Sequence, residues 1–223
     1  MAIPKHIAIS LDDISDWCSG NNIDFHTGCE ICLRHLNKLL EIQARLRIPI
    51  ITYYLLPENA DKPGNYITFS DCIADFFNNL STNNLIHGQK IKISVFGKWY
   101  NLPGKAVESL KSIIELTKEY DSFFANFCIN YDGQEEIVDA CRLAAKQVEL
   151  GKINPEMITK ESIKENMYSS NFMPPGAILI YGERKLSGLL LWDSVNSKII
   201  FADKSFMEFE EGDIEKFNFP ILI

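Results

Sequence analysis

The feature that most restricts this chain is a repeated alternation of short, unbroken apolar runs with longer amphipathic stretches. His6-Ile-Ala-Ile-Ser-Leu11, Ile50–Leu56, Ile91–Phe96, Phe123–Ile129, Ala177–Tyr181 and Lys198–Phe201 each have the length of a strand. They are apolar at successive positions instead of every second one, so such strands need cover on both faces. Between them apolar residues recur at helical spacing. Cys32, Leu36, Leu39, Leu40 and Leu46 do so from Gly28 to Leu46, and Pro49 ends that helix. Further helices are predicted over Ser70–Leu80 with Ser70 as N-cap, Pro103–Tyr120, Gln134–Leu150 closed by Gly151, and Thr159–Met167. Pro57–Gly64 is a loop by composition. Strand and helix in turn predict an α/β fold: one domain over residues 1–223, with a mostly parallel central sheet flanked by helices.

Charge and hydropathy narrow the function. The net charge is −8 and no Lys/Arg-rich run offsets it, which argues against a nucleic-acid partner. The longest apolar runs fall well short of the roughly 20 residues that cross a bilayer, leaving at most peripheral membrane contact. The chain opens without a charged-then-apolar leader, and most of its six cysteines sit among apolar neighbours as buried free thiols do; a cytoplasmic location is expected. His26, Cys29, Cys32 and His35 recur every three residues, but such positions drift around a helix and one helix rarely builds a tetrahedral zinc site.

In parallel sheets ligands gather at the carboxyl ends of the strands. Three loops expected there are unusual. Asp12-Asp-Ile-Ser-Asp16, followed by Trp17, places three carboxylates in five residues. Asn130-Tyr-Asp-Gly-Gln-Glu-Glu136 follows the fourth strand, and Gly182-Glu-Arg-Lys-Leu-Ser187 the fifth. Taken in order, His6-Ile-Ala-Ile with Asp12 and Trp17, Glu58-Asn59, Asn130-Tyr-x-Gly133 with Ile137-Val138, and Gly182-Glu-x-Lys-Leu-Ser187 with Leu190-Leu-Trp192 resemble the cis-prenyltransferases, the family of the undecaprenyl diphosphate synthases. The resemblance runs from about residue 4 to about 202.

It implies a helix-flanked parallel sheet, a hydrophobic tunnel for an isoprenoid chain, a prenyl diphosphate substrate and a homodimer, or a heteromer with a homologue. It also implies that Asp12 supports metal and diphosphate chemistry, and that Trp17, Asn59, Lys62, Asn130, Lys185 and Ser187 contact substrate. Phe69, Phe76, Phe77 and Phe124 are candidates for the tunnel wall, with core packing the plainer reading of most of them. The departures from the family are as informative as the matches. Asp13 stands for a glycine, Asp16 for an arginine, Lys185 for another arginine and Lys198 for a metal-binding glutamate; the arginine-and-histidine stretch before Gly28 and the segment before Gly182 are shortened. Lysine does not reproduce the bidentate grip of arginine on phosphate.

The replacements turn the first loop into an Asp-Asp-x-x-Asp pattern, similar to the magnesium-binding motif of the all-helical trans-prenyl and terpene synthases. Mg²⁺ suits a few carboxylates plus phosphate oxygens and neutralises a departing diphosphate. The leading expectation is therefore a Mg²⁺-dependent enzyme in which Asp12, Asp13 and Asp16, helped by Asp132, bind metal and ionise an allylic diphosphate, with cyclisation, quenching or non-standard transfer to follow. The alternatives are a non-catalytic subunit of a heteromeric enzyme and an ordinary polyprenyl diphosphate synthase.

Overall fold

A computed structural model describes residues 3–11, 14–57, 63–210 and 212–216. All six apolar runs form strands: β1 (His6–Ser10), β2 (Ile50–Pro57), β3 (Ile91–Phe96), β4 (Phe123–Tyr131), β5 (Ala177–Ile180) and β6 (Lys198–Phe201). They join one sheet in the order β3-β4-β2-β1-β5-β6, and every neighbouring pair is parallel. The first strand lies in the interior, with Ala8 opposite Thr52 of β2 on one side and Ile178 of β5 on the other. The amphipathic stretches supply the crossovers that parallel pairing requires.

The helices are α1 (Ile14–Asn21), α2 (Phe25–Arg45), α3 (Pro63–Leu80), α4 (Asn84–Gly88), α5 (Gly104–Thr117), α6 (Gly133–Glu149), α7 (Lys160–Glu165) and α8 (Asp213–Lys216). Two starts differ from expectation. α2 begins at Phe25 because Asp24 caps it, accepting from the Thr27 amide at 3.0 Å and the Thr27 hydroxyl at 2.7 Å. α3 begins at Pro63, so Ser70 is not an N-cap. It sits mid-helix with its hydroxyl donating to the Tyr66 carbonyl at 2.7 Å. Proline suits the first helical turn, where its missing N–H has no intrahelical partner to lose.

Successive strand residues serve opposite layers. Ile7, Ile9, Ile51, Tyr53, Ala125 and Phe127 face the larger layer built by α1, α2, α3 and α5. Ala8, Tyr54, Cys128, Ile178 and Ile180 face a smaller one closed by Leu189 and Leu190. Burial on both faces explains why β1, β4 and β5 read as continuous runs; the run Lys198–Phe201, expected to be covered likewise, is largely exposed because β6 is an edge strand. Phe69, Phe76 and Phe77 belong to the larger core, where the Phe77 ring meets Phe127 at 5.0 Å and Phe127 stacks on Tyr53 at 5.1 Å. Phe124 packs on Phe172 at 5.6 Å. These rings hold the layers together, as the packing reading anticipates. Among the described residues no helix is long and apolar enough to cross a membrane.

Candidate active site at the carboxyl edge of the sheet

In a parallel sheet every helix that follows a strand starts at the same edge, so α1, α3, α5 and α6 turn their N-termini toward one rim. Side chains tie this rim together. Asn65, near the start of α3, donates to the Ser15 hydroxyl of α1 at 3.4 Å. Tyr66 receives the Asn130 amide on its hydroxyl at 3.0 Å. The Lys98 amide donates to the Asn130 carbonyl at 2.9 Å, and Gly97 lies so close to the backbone of Ile129–Tyr131 that a Cβ there would meet the Ile129 carbonyl oxygen at 2.6 Å. Asn130 itself has φ 48°, a left-handed geometry that asparagine tolerates better than most residues.

The β4–α6 turn is shaped by Asp132. Its carboxylate accepts from the amides of Gln134 at 2.6 Å and Glu135 at 3.3 Å, making it the N-cap of α6. The residue expected to help hold metal thus has a local role as well, its Oδ1 satisfying the first free amides of a 17-residue helix. Next to it, Gly133 packs against the backbone of Gly188; an added Cβ would meet the Gly188 carbonyl oxygen at 2.2 Å. This close approach joins the β4 and β5 loops, two segments that share no local sequence signal.

The remaining candidates fall into three groups. Asp12, Asp13, Asn59 and Lys62 lie outside the described residues, as does Glu58. Asp16 and Lys185 are exposed; Asp16 occupies the first turn of α1, and Lys185 forms an ion pair with Glu183. Trp17 and Ser187 are half-buried, and the Trp17 indole N–H and Ser187 hydroxyl are each shielded from solvent with no hydrogen-bond partner among the described residues. A shielded hydroxyl without a partner forgoes a stabilising interaction. Among the described residues no three potential metal ligands converge.

Some of the rim chemistry has no counterpart in the sequence motifs. Lys98 follows β3 and pairs with Glu135 at 2.9 Å, putting an ammonium beside the Asn130 turn. Tyr66 holds Asn130 from α3. Below the rim, Glu136 is fully buried and accepts from the Tyr131 hydroxyl and, at 3.1 Å, from the Ser169 amide. Burial raises its carboxyl above the ordinary range, against those hydrogen bonds. Ser169 continues to Asp193 at 2.8 Å, and Lys164 reaches Asp193 at 2.6 Å, which gives the buried carboxylate its counter-charge. No local pattern distinguishes Glu136 from Glu135, its exposed-side neighbour; only helix phase against the sheet does.

Comparison with known proteins bears on this edge. The family model of the undecaprenyl diphosphate synthases matches residues 14–218. The tritrans,polycis-undecaprenyl-diphosphate synthase (geranylgeranyl-diphosphate specific) of Methanocaldococcus jannaschii is 30% identical over 206 residues, spanning 90% of this chain and 74% of that protein. An isoprenyl transferase of Halalkalibacterium halodurans is 26% identical over 212 residues, spanning 94% and 82%. The crystal structure of lavandulyl diphosphate synthase from Lavandula x intermedia, in complex with dimethylallyl diphosphate, superposes with a TM-score of 0.90 at 21% identity, covering 96% of this chain and 92% of that one. At that identity the superposition speaks for the fold alone.

Proposed function

Because the chain belongs to the undecaprenyl diphosphate synthase family of cis-prenyltransferases, we propose that it is a prenyl transferase joining an allylic prenyl diphosphate to isopentenyl diphosphate at the carboxyl edge of the sheet. The observation that carries this reading is the family match over residues 14–218, which includes the rim-forming loops after β3, β4 and β5. The relatives named above are a polyprenyl diphosphate synthase and an isoprenyl transferase, so elongation is a better fit than the cyclisation or quenching suggested by the Asp-Asp-x-x-Asp pattern. The lost arginines do not remove every means of holding phosphate. Several helix N-termini face the crevice, Ser187 offers a donor, and Lys98 and Lys185 supply positive charge.

Mg²⁺ fits the donor set: it uses one or two carboxylates and completes its octahedron with water and phosphate oxygens. Asp16, with Asp12 and Asp13, would hold it, and when bound it would offset the charge of the departing diphosphate. Asp132 is left out of this set, its carboxylate being turned onto the amides of α6. Asn130 would orient the substrate from a turn fixed by Tyr66 and Lys98.

For the oligomeric state, support for a homodimer comes from the other end of the sheet order. β6 is an edge strand bearing Ile199 and Phe201, two residues apart and each about two-fifths exposed, and nearby Val195 is 81% exposed. A second copy of this chain would cover that apolar face, giving a homodimer.

Purified protein with Mg²⁺ and geranyl, farnesyl or geranylgeranyl diphosphate should form longer prenyl diphosphates only when isopentenyl diphosphate is added, and Asp12→Ala should abolish them. Diphosphate release without isopentenyl diphosphate would replace the elongation reading with ionisation and quenching. No turnover except when a second, homologous chain is present would make the protein an accessory subunit.

A further inference from the structure

Tyr131 follows the rim residue Asn130 and turns the other way, into the smaller layer, where it is fully buried. Its hydroxyl donates to a Glu136 carboxylate oxygen, its carbonyl accepts from the Tyr54 hydroxyl at 3.3 Å, and its ring meets that of Tyr54 edge-on at 6.0 Å. Glu136 is fixed in turn. Its second oxygen accepts the Ser169 amide at 3.1 Å, and the Ser169 hydroxyl continues to Asp193 at 2.8 Å, beyond the β5 loop. Lys164 closes the far end, donating to Asp193 at 2.6 Å, to the Ser169 hydroxyl at 2.8 Å and to the Ser169 carbonyl at 2.9 Å. On the prenyl-transfer reading, on which this inference rests, we propose that Tyr131 is a positioning residue for the reaction. Its anchored phenol locks the β4 turn against the β5 loop and so fixes Asn130 relative to Ser187.

Both loops hold a backbone geometry that needs such a lock. Asn130 has φ 48°, and Leu190, packed in the same layer as Tyr131 and Tyr54, has φ 46°. Leucine has no side-chain hydrogen bond to favour the left-handed region, and such a residue persists there where surrounding contacts over-determine it. Tyr54 borders both loops: it donates to the Tyr131 carbonyl, and a Cβ added at Gly188 would lie 4.0 Å from its hydroxyl.

Stability alone gives little reason for this network. An enclosed carboxylate is costly to desolvate, and apolar residues of similar volume often support a fold as well or better. What a satisfied chain of polar groups adds is a single rigid geometry. Transfer at the crevice needs that, since a displacement of about 1 Å can lower a rate by about 100-fold.

The test measures steady-state elongation by the full chain with Mg²⁺, isopentenyl diphosphate and geranyl, farnesyl or geranylgeranyl diphosphate, beside chemical denaturation of each variant. Tyr131→Phe should lower kcat about 10- to 100-fold with KM for both substrates within about twofold, as contacts that orient a reaction without adding uniform binding do. Tyr131→Phe combined with Glu136→Gln removes the charge left without its phenol, so stability should recover relative to Tyr131→Phe while kcat stays low. Tyr168→Phe, whose hydroxyl reaches Asp139 on α6 instead, should keep the wild-type kcat. If Tyr131→Phe fails to fold, Tyr54→Phe decides in its place, because it releases the Tyr131 carbonyl without losing the ring, and the same selective fall in kcat is expected. An unchanged kcat in the folded Tyr131→Phe or Tyr54→Phe chain, or a kcat that recovers together with stability in the double variant, overturns the positioning role alone. A wild-type chain that makes no product overturns the transfer reading and this role with it.

Discussion

The His6 imidazole is 3% exposed and meets two fixed partners. Nδ1 lies 2.6 Å from the Met173 carbonyl, which can only accept, so Nδ1 carries the proton; Nε2 then accepts from the Thr52 hydroxyl at 2.8 Å. Thr52 in turn receives the Asn126 amide at 3.3 Å. The neutral ring satisfies this chain of donors, and burial lowers its pKa to about 4. A histidine with a depressed folded-state pKa stabilises the fold above its unfolded value, near 6.5, and that contribution is lost as pH falls through about 4. Urea unfolding of wild type should therefore lose up to about 3 kcal/mol over that interval relative to His6→Gln, which lacks the titrating ring. Glu136 has the opposite sign: its raised carboxyl contributes stability at acid pH that is lost as pH rises through its folded-state value. Asn130 offers a second residue-level measurement. Asn130→Ala should destabilise by about 1–2 kcal/mol through the left-handed backbone and the lost Tyr66 hydrogen bond, and Asn130→Gly should recover the backbone part.

Among the elements, α6 shows how a local cap and a tertiary contact act at one turn. Asp132→Ala should cost about 1 kcal/mol in chemical denaturation, whereas Asp132→Asn should stay within a few tenths, since both residues cap well. The asparagine variant should also keep prenyl transfer if Asp132 acts as a cap; a large loss of rate with unchanged stability would return it to the metal site. Gly133→Ala should destabilise by about 1–3 kcal/mol, because its Cβ must displace the Gly188 segment. The cap is a signal that sequence carries, since an Asp before a helix is common there, but in an acidic loop the same residue reads equally as a metal ligand. The Gly133–Gly188 contact is not readable, because its partner lies 55 residues away. Similarly, α1 is hidden in the sequence because Ile14 and Cys18 give it a stripe of just two buried positions, too short to separate from the Asp-rich loop around it. The N-terminal half of α3 is hidden by Pro63 and Gly64, which resemble turn residues but here occupy its first turn.

For the molecule as a whole, the wholly parallel sheet leaves β6 on one edge with Ile199 and Phe201 exposed. Sedimentation equilibrium should give about twice the 25.4 kDa chain mass, and Phe201→Glu should shift the species toward monomer without loss of secondary structure. A monomer at micromolar concentration would remove β6 as an interface. The same edge order puts β1 in the interior, so the loop carrying Asp12 and Asp13 leaves from the middle of the sheet, with the β2 and β5 ends on either side. The carboxyl end of β1 thus lies among neighbouring strand ends and helix N-termini, the position at which a parallel sheet gathers ligands.

Strand identity, the α/β class and the family were all present in the chain itself, because apolar periodicity and ordered motifs are local properties. Which carboxylate caps a helix and which is buried under a tyrosine were decided only when distant segments packed together. Asp132 and Glu136 lie four residues apart on one turn of chain, yet one accepts helix amides at the rim and the other is enclosed against Tyr131 and Ser169. That difference comes from the angle at which α6 meets the sheet, a quantity set by contacts far apart in sequence and therefore absent from any local pattern.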